Sequence, residues 1–105
     1  EKSAKAHMLE SMNKAVTDAG QALLIGRGVD TTVPKKLPDK LDKISEGEDK
    51  LPEDILEGGK EVIQTWKDFE HRELEVIEWE TLEDLMSKTI DFVNTAETYI
   101  EEKEL

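Results

Sequence analysis

The sequence predicts a mainly α fold, a small bundle of three to four helices, with a β-hairpin as the alternative for residues 60–80. Apolar residues recur at steps of three and four over residues 4–25 and 81–103, which is the period of a helix. Glycine and proline interrupt the stretch between those two segments. A chain of 105 residues is long enough for one domain and too short for two ordinary ones.

The composition predicts a lean core under an acidic surface. Hydrophobic residues make up 36%, charged residues make up 38%, and the formal net charge is −12. Residues 46–105 carry twenty acidic and six basic side chains, so the negative charge is concentrated there. We interpret residues 1–105 as a single small acidic domain. Residues 1–7 are treated as tag-derived or disordered, because His7-Met8 is typical of a cloning junction; an internal fragment is the alternative.

The first helix is predicted over residues 4–25. Its apolar stripe uses alanine and methionine more than leucine and isoleucine. The stripe contains Met8, Met12, Ala15, Val16, Ala19 and Leu23. Small residues let helices approach closely, and methionine adapts to irregular partners. Gly26 and Gly28 follow at once, as expected where a helix ends.

Two short helical segments are predicted next. Pro38 can open a helix that extends to about residue 45, because Leu37, Leu41 and Ile44 repeat at steps of four and three. Pro52 opens a second segment of a single turn. We expect Gly58-Gly59 to end that turn.

Residues 60–80 fit two structures. As a helix, the segment places Val62, Ile63, Trp66 and Phe69 near one face, and its many glutamates favour that state. As a hairpin, it uses its β-branched and aromatic residues, although no Asn-Gly or Asp-Gly marks a tight turn.

The last helix is predicted over residues 81–103, with Thr81 as its N-cap. We expect this helix to anchor the core through one apolar stripe. The stripe contains Leu82, Met86, Ile90 and Val93. Phe92 and Tyr99 lie off the stripe, where they widen the apolar face or form a second contact surface.

The chain has few side chains suited to catalysis. It has no cysteine, which excludes disulfides, thiolate metal sites and cysteine nucleophiles. It has two histidines, and no serine stands in a Gly-x-Ser-x-Gly motif. Runs of glutamate are typical of a solvated face rather than of an acid–base pair. We therefore expect no enzymatic activity and no cofactor.

Two segments resemble metal sites only in part. Asp68 and His71 lie three residues apart with Glu75 beyond them, but a di-iron bundle needs two such pairs and two further glutamates. Residues 42–53 have the first, sixth and last residues of a calcium loop. Ile44 occupies a ligand position, however, and Pro52 interrupts the helix that should follow. We interpret both segments as charged surface, with no bound metal.

Neither nucleic acid nor a membrane is an expected partner. The basic residues are few, and they are interspersed with Asp30, Asp39 and Asp42. They are Arg27, Lys35, Lys36, Lys40 and Lys43. The longest clearly apolar run is Ala22–Ile25, far below the roughly 20 residues of a transmembrane helix.

The candidate interaction residues combine acidic and aromatic side chains. Glutamates on both sides of Trp79 can form a polar rim around an apolar centre. Aromatic residues left partly exposed are common at interfaces. The predicted set is Glu73, Glu75, Glu78, Trp79, Phe92 and Tyr99.

Residues 22–44 add a resemblance to a known class of proteins. The segment reads Ala-Leu-Leu-Ile-Gly-Arg-Gly-Val-Asp-Thr-Thr-Val-Pro-Lys-Lys-Leu-Pro-Asp-Lys-Leu-Asp-Lys-Ile. It resembles a helix–Gly–loop–helix segment of bacteriophage tail and fibre structural proteins. That resemblance implies a non-catalytic assembly role in a virion.

The sequence therefore predicts a non-enzymatic protein–protein interaction or assembly module, with a protein partner or a second copy of itself. The alternative is an acidic inhibitor or immunity-type protein, whose carboxylates bind a basic toxin or a nucleic-acid enzyme.

Overall fold

The computed structural model describes residues 4–26, 37–44, 51–71 and 76–104. These residues form four helices and, within the described ranges, no strand. The helices are α1 (Ala4–Gly26), α2 (Leu37–Ile44), α3 (Glu53–Glu70) and α4 (Trp79–Glu104). The prediction of a mainly α fold is confirmed.

Helix α4 is the centre of the arrangement, because its interfaces with α1 and α3 are the two largest in the fold. Near its start, Lys5 of α1 donates a hydrogen bond to the carbonyl of Ile77. Further along, Met12 of α1 lines one groove together with Met86 and Thr89 of α4. The two helices therefore run parallel.

The core lies among α1, α3 and α4, with α2 packed against the side of α1. Phe92 is its largest fully buried side chain. The other fully buried large side chains are Leu9, Leu24, Leu41, Leu51, Leu82, Leu85, Val16 and Val62. Aliphatic residues from every helix thus compensate for the low hydrophobic content of the chain.

Helix α1 includes residues 4–7, part of the segment treated as tag-derived or disordered. Ala4–His7 are helical, and Ala6 is only 2% exposed. Residues 4–7 are therefore ordered within α1. Residues 1–3 lie outside the described part of the chain.

The prediction that Gly58-Gly59 ends a helical turn is wrong, because α3 continues without a break from Glu53 to Glu70. Both glycines are buried against α4. A Cβ at Gly59 would lie 2.6 Å from Cδ2 of Phe92, closer than any real Cβ contact. The pair allows two helices to approach closely and does not terminate one.

The hairpin alternative for residues 60–80 finds no support. Helix α3 extends to Glu70, and the backbone N–H of His71 donates to the carbonyl of Lys67 at 2.9 Å. Residues 76–78 form a short non-helical segment before α4, and residues 72–75 lie outside the described part.

The predicted N-cap of α4 also needs correction. The helix begins at Trp79, two residues before Thr81, and the backbone N–H of Leu82 donates to the carbonyl of Glu78 at 3.1 Å. Glu78 therefore stands immediately before the helix, and Thr81 is within its first turn.

The predicted core stripe of α4 is wrong for two of its residues. Met86 is 39% exposed and Ile90 is 52% exposed. The buried face instead advances at alternating steps of three and four through Leu82, Leu85, Thr89, Phe92 and Ala96. The sequence places apolar residues on two adjacent stripes, and the stripe that carries Phe92 is the one that packs inward.

Candidate functional site

Most exposed apolar side chains of the described residues lie in one stretch around the start of α4. Val76 is 71% exposed, and Trp79 and Ile90 are each 52% exposed. Met86 belongs to the same group, whereas Ile25 lies at the far end of α1. An exposed apolar cluster on a highly charged chain is the kind of surface that marks a binding site.

A groove between α1 and α4 lies beside this cluster. It has a volume of about 350 Å³. Its lining residues are His7, Met8, Ser11, Met12, Ala15, Met86 and Thr89. The chain contains three methionines, and all three line this groove. The surface is therefore apolar and built from side chains that adapt their shape.

Thr89 is the polar residue at the inner wall of the groove. It is 7% exposed, and its hydroxyl donates to the carbonyl of Leu85 at 2.8 Å. The hydroxyl proton is therefore used within the helix. What the groove offers a ligand is mainly methyl groups and thioethers.

Lys5 joins α1 to the beginning of α4. Its ammonium donates to the carbonyl of Ile77 at 2.8 Å and lies 5.0 Å from the ring centroid of Trp79. The second contact is a cation–π interaction, which favours one position of the indole. Lys5 thus holds Trp79 at the end of the α1–α4 interface.

An acidic stripe borders the apolar one along α4. Trp79, Met86 and Val93 follow one another at intervals of seven residues, which is close to two helical turns. Ile90 lies on the adjacent stripe, with Glu83 and Glu97 seven residues to either side. Both glutamates are exposed. The exposed apolar surface of α4 therefore has negative charge on its outer edge.

The opposite side of α4 carries an ion pair rather than an open apolar surface. Lys88 donates to Glu61 of α3 and, at 2.8 Å, to Asp84 of its own helix. The hydrogen bonds that Lys88 donates to Asp84 and then to Glu61 raise the pKa of Lys88 above its ordinary value of 10.5. The side chain is 33% exposed, so this group is a surface link between helices.

A second depression lies on α3. It has a volume of about 470 Å³ and a mostly polar set of lining residues. Those residues are Glu57, Lys60, Glu61, Ile63 and Gln64. Lys60 lies 3.5 Å from Glu57, so part of the charge is paired within the helix. Only one of its five lining residues, Ile63, has an apolar side chain, whereas four of the seven residues that line the α1–α4 groove do.

The predicted interaction residues fall into three groups. Glu78 and Trp79 are exposed and adjoin the start of α4. Phe92 is fully buried against Gly59, so it cannot contact a partner, and Tyr99 is half-buried against the core. Glu73 and Glu75 lie outside the described residues.

The partial metal motifs acquire no structural support. In the described part of the chain, no three His, Cys, Asp or Glu side chains are grouped so that they could hold a metal ion. His71 is exposed at the end of α3, and Asp68 accepts a hydrogen bond from Gln64 at 2.8 Å. Glu75 and residues 45–50 of the calcium-like segment lie outside the described ranges.

Sequence reasoning missed the groove itself. The prediction of a core face for Met8 and Met12 agrees with the structure, in which Met12 is buried and Met8 packs against the core, but both also line the groove. Met86 and Ile90, which the sequence predicts in the buried stripe of α4, are exposed. The available signal was the position of the methionines, because both segments that carry them are long amphipathic helices. Their common location depends on the parallel packing of α1 and α4, which spacing within one helix does not specify.

Comparison with known proteins identifies no relative: no family model, no curated protein and no solved structure matches the chain. None of the helices in the described ranges is both long enough and apolar enough to cross a membrane.

Proposed function

We propose that this chain is a non-enzymatic protein-binding module that uses the exposed apolar surface of α4. The observation that carries the proposal is the cluster of Trp79, Met86 and Ile90 beside a methionine-lined groove. Burying apolar surface contributes about 25 cal/mol per Å² to association. A chain with 38% charged residues that still exposes these side chains gains by covering them.

The proposed setting is assembly of a bacteriophage particle, which the resemblance of residues 22–44 implies. The described part of that segment is structural within the chain. Leu37 and Leu41 of α2 are buried, and Gly20 of α1 faces both. Because this segment packs α2 against α1, we place the proposed binding surface on α4 instead.

Position-specific crosslinking tests the binding role. A photoreactive phenylalanine analogue replaces Ile90 in one variant and Asp91 in another, and each is irradiated in an extract of the source cells. Both positions are exposed on α4, but Asp91 lies about 100° further round the helix, on the face away from the groove. We expect a discrete protein adduct from position 90 and none from position 91.

Adducts to phage structural proteins or to a second copy of the chain fit the assembly role. Equal adducts from both positions, or no adduct from either, would contradict a binding role for this surface.

The second candidate function is an acidic inhibitor of a basic toxin or nucleic-acid enzyme. The exposed acidic residues of α4 favour it, and they lie on several faces of the helix. They are Glu80, Glu83, Asp84, Asp91, Glu97 and Glu101. Such an interaction acts through long-range charge, which speeds association and weakens as salt increases.

A double charge reversal and a single apolar substitution separate the candidates once a partner is identified. Glu80 and Asp91 lie on the face away from the groove, so reversing both to lysine should reduce inhibitor-type binding and spare groove binding. Ile90→Ser should reduce groove binding and spare inhibitor-type binding. Association rates at low and high salt measure both effects.

A further inference from the structure

We propose that the occupant of the α1–α4 groove is an amphipathic helix whose polar edge is basic. The inference rests on the proposed binding function and adds its site and the chemical class of its partner. It depends on three properties of the groove: its shape, its methionine lining and the charge along its edge.

The shape fits a helix. Helices α1 and α4 run parallel, and the residues that line the groove leave an open depression between them rather than a closed cavity. Met86 of the groove also belongs to the apolar stripe of α4 that extends from Trp79 to Val93, which covers fourteen residue steps, or about 21 Å at the rise of an α-helix. A helical partner offers apolar anchors at matching intervals of three, four and seven residues.

The lining suits an occupant with large aliphatic side chains. Met8, Met12 and Met86 have flexible side chains that adjust to the shape of an inserted residue. Ser11 and Ala15 on the α1 side are small, so a third helix can approach that wall closely. Three polar residues also line the groove, His7, Ser11 and Thr89, and the buried one, Thr89, already donates its hydroxyl proton to the carbonyl of Leu85.

The edge charge selects the basic class of helix. Glu83 and Glu97 are exposed on either side of Ile90. On the α1 side, Asp18 is exposed as well, while Lys5 is engaged by the Ile77 carbonyl and the Trp79 ring. A lysine- or arginine-flanked helix places positive charge against these carboxylates, and an acidic helix is repelled.

Charge also disfavours a second copy as the occupant. Each copy carries a formal net charge of −12, so two copies repel each other. The exposed carboxylates along the α4 edge add to that repulsion. The basic side chain of Lys14 in α1 is exposed, but one ammonium group does not offset this repulsion. We therefore assign the groove to a basic partner.

The methionines provide a direct reporter for the test. Protein labelled with ¹³C at the methionine methyl groups gives three signals, all from the groove. The probe is an 18-residue peptide of leucine and lysine, with the leucines on one helical face. We expect all three signals to shift in a saturable manner as the peptide is added, and the peptide to become helical.

Two control peptides test the chemistry. A peptide of the same composition with a shuffled order lacks the apolar face and should not shift the methionine signals. A leucine–glutamate peptide with the original pattern keeps the face but reverses the charge, and it should bind far more weakly. Equal binding by the glutamate peptide would overturn the basic assignment.

Matched variants test the location. Ile90→Ser should weaken binding of the leucine–lysine peptide about tenfold, because it removes part of an aliphatic contact. Ile25→Ser changes the same residue type at an exposed position beyond the groove, 66% exposed against 52% for Ile90, and it should have no effect. The double variant Glu83→Gln/Glu97→Gln should weaken binding about fivefold at low salt and less at high salt. Circular dichroism checks that each variant keeps its helices.

The outcomes separate this inference from the proposed function. Peptide binding without movement of the methionine signals would place the peptide elsewhere and overturn the groove assignment. Concentration-dependent shifts without peptide, together with a dimer by sedimentation, would make a second copy the occupant and overturn the basic-helix assignment. Either result leaves a binding role intact, whereas failure of crosslinking at position 90 removes the role itself.

Discussion

Helix α4 has two unlike sides: a closed side that packs tightly against α3, and an open side towards α1 on which apolar side chains remain exposed. Towards α3, buried glycines meet Phe92 and the stem of Lys88, and the helices lie in close contact. Towards α1, methionines line a groove, and Met86 and Ile90 remain exposed. The difference arises from residue type. Glycine opposite the rigid ring of Phe92 gives a tightly packed interface between α3 and α4. The flexible methionine side chains between α1 and α4 leave a groove that can accept a further partner.

The ion pair strengthens this contrast. On the α3 side, Lys88 links Glu61 to Asp84 across the outer edge of the contact. On the α1 side, Glu83 and Glu97 border the exposed Ile90. Negative charge on the closed side is therefore partly paired within the chain, whereas Glu83 and Glu97 on the open side remain exposed.

The largest expected effect is the loss of stability when a side chain on the buried face of α4 is truncated to alanine, compared with the same truncation on the exposed face. Leu85 is 1% exposed, and Leu85→Ala should lower the free energy of unfolding by about 2–5 kcal/mol. Ile90→Ala should change it by less than about 0.5 kcal/mol, because half of that side chain is already in water. Urea denaturation measures both. Equal losses would mean that the buried face has been misassigned.

The second effect tests the closed side. Gly59→Ala places a Cβ within 2.6 Å of the fully buried Phe92 ring. Overpacking of this kind costs about 1–3 kcal/mol, which exceeds the smaller gain in helix propensity. Adding Phe92→Leu should lessen the cost of the alanine if the ring is its cause. An additive double variant, measured in the same denaturation experiment, would exclude direct contact.

The third effect has the opposite sign. Gly20 lies inside α1, where an added Cβ would be 3.5 Å from the nearest atoms of Leu37, an ordinary contact distance. Gly20→Ala should therefore stabilise the protein by about 0.5–1 kcal/mol through reduced backbone freedom in the unfolded chain. A raised thermal midpoint is the expected observation. A lowered midpoint would show that α1 and α2 pack more tightly than these distances indicate.

The smallest effect concerns the ion pair on the closed side. The folded-state pKa of Lys88 is raised above 10.5, so its stabilising contribution is fully present below pH 10.5 and is lost as pH rises through the higher folded value. Lys88→Met should be slightly less stable than the natural chain at neutral pH, and the gap should narrow in that alkaline range. Parallel denaturation curves across pH check this. A gap that widens with pH would contradict the linkage.

The helices themselves could be predicted because they depend on local periodicity. The first predicted helix ends within a residue of α1, and the last was recognised despite its wrong start. The buried face of α4 was not predictable in the same way. Met86 and Ile90 are as apolar as Leu85, so only packing against two other helices decides which stripe points inward.

The two errors in the middle of the chain have a related cause. Gly58 and Gly59 have the usual sequence features of a helix end, and what makes them interior residues is α4, where Lys88 faces Gly58 and Phe92 faces Gly59 from at least thirty positions away. The same packing removes Phe92 from the predicted interaction set. Trp79 of the same set is 52% exposed, although Lys5 of α1 contacts its ring.

The pairing of α1 with α4 determines when the fold can be completed. In the order of synthesis, α1 is the first helix of this sequence to form and α4 is the last, yet they share the largest interface. Helices α3 and α4 are separated by only eight residues and can pack as soon as both exist. Until α4 has been synthesised, the apolar face of α1 is not yet packed against it; this face contains Leu9, Val16 and Leu23. An exposed apolar face of this kind is vulnerable to aggregation on the ribosome. The contact that dominates the finished molecule is the last one available to the growing chain.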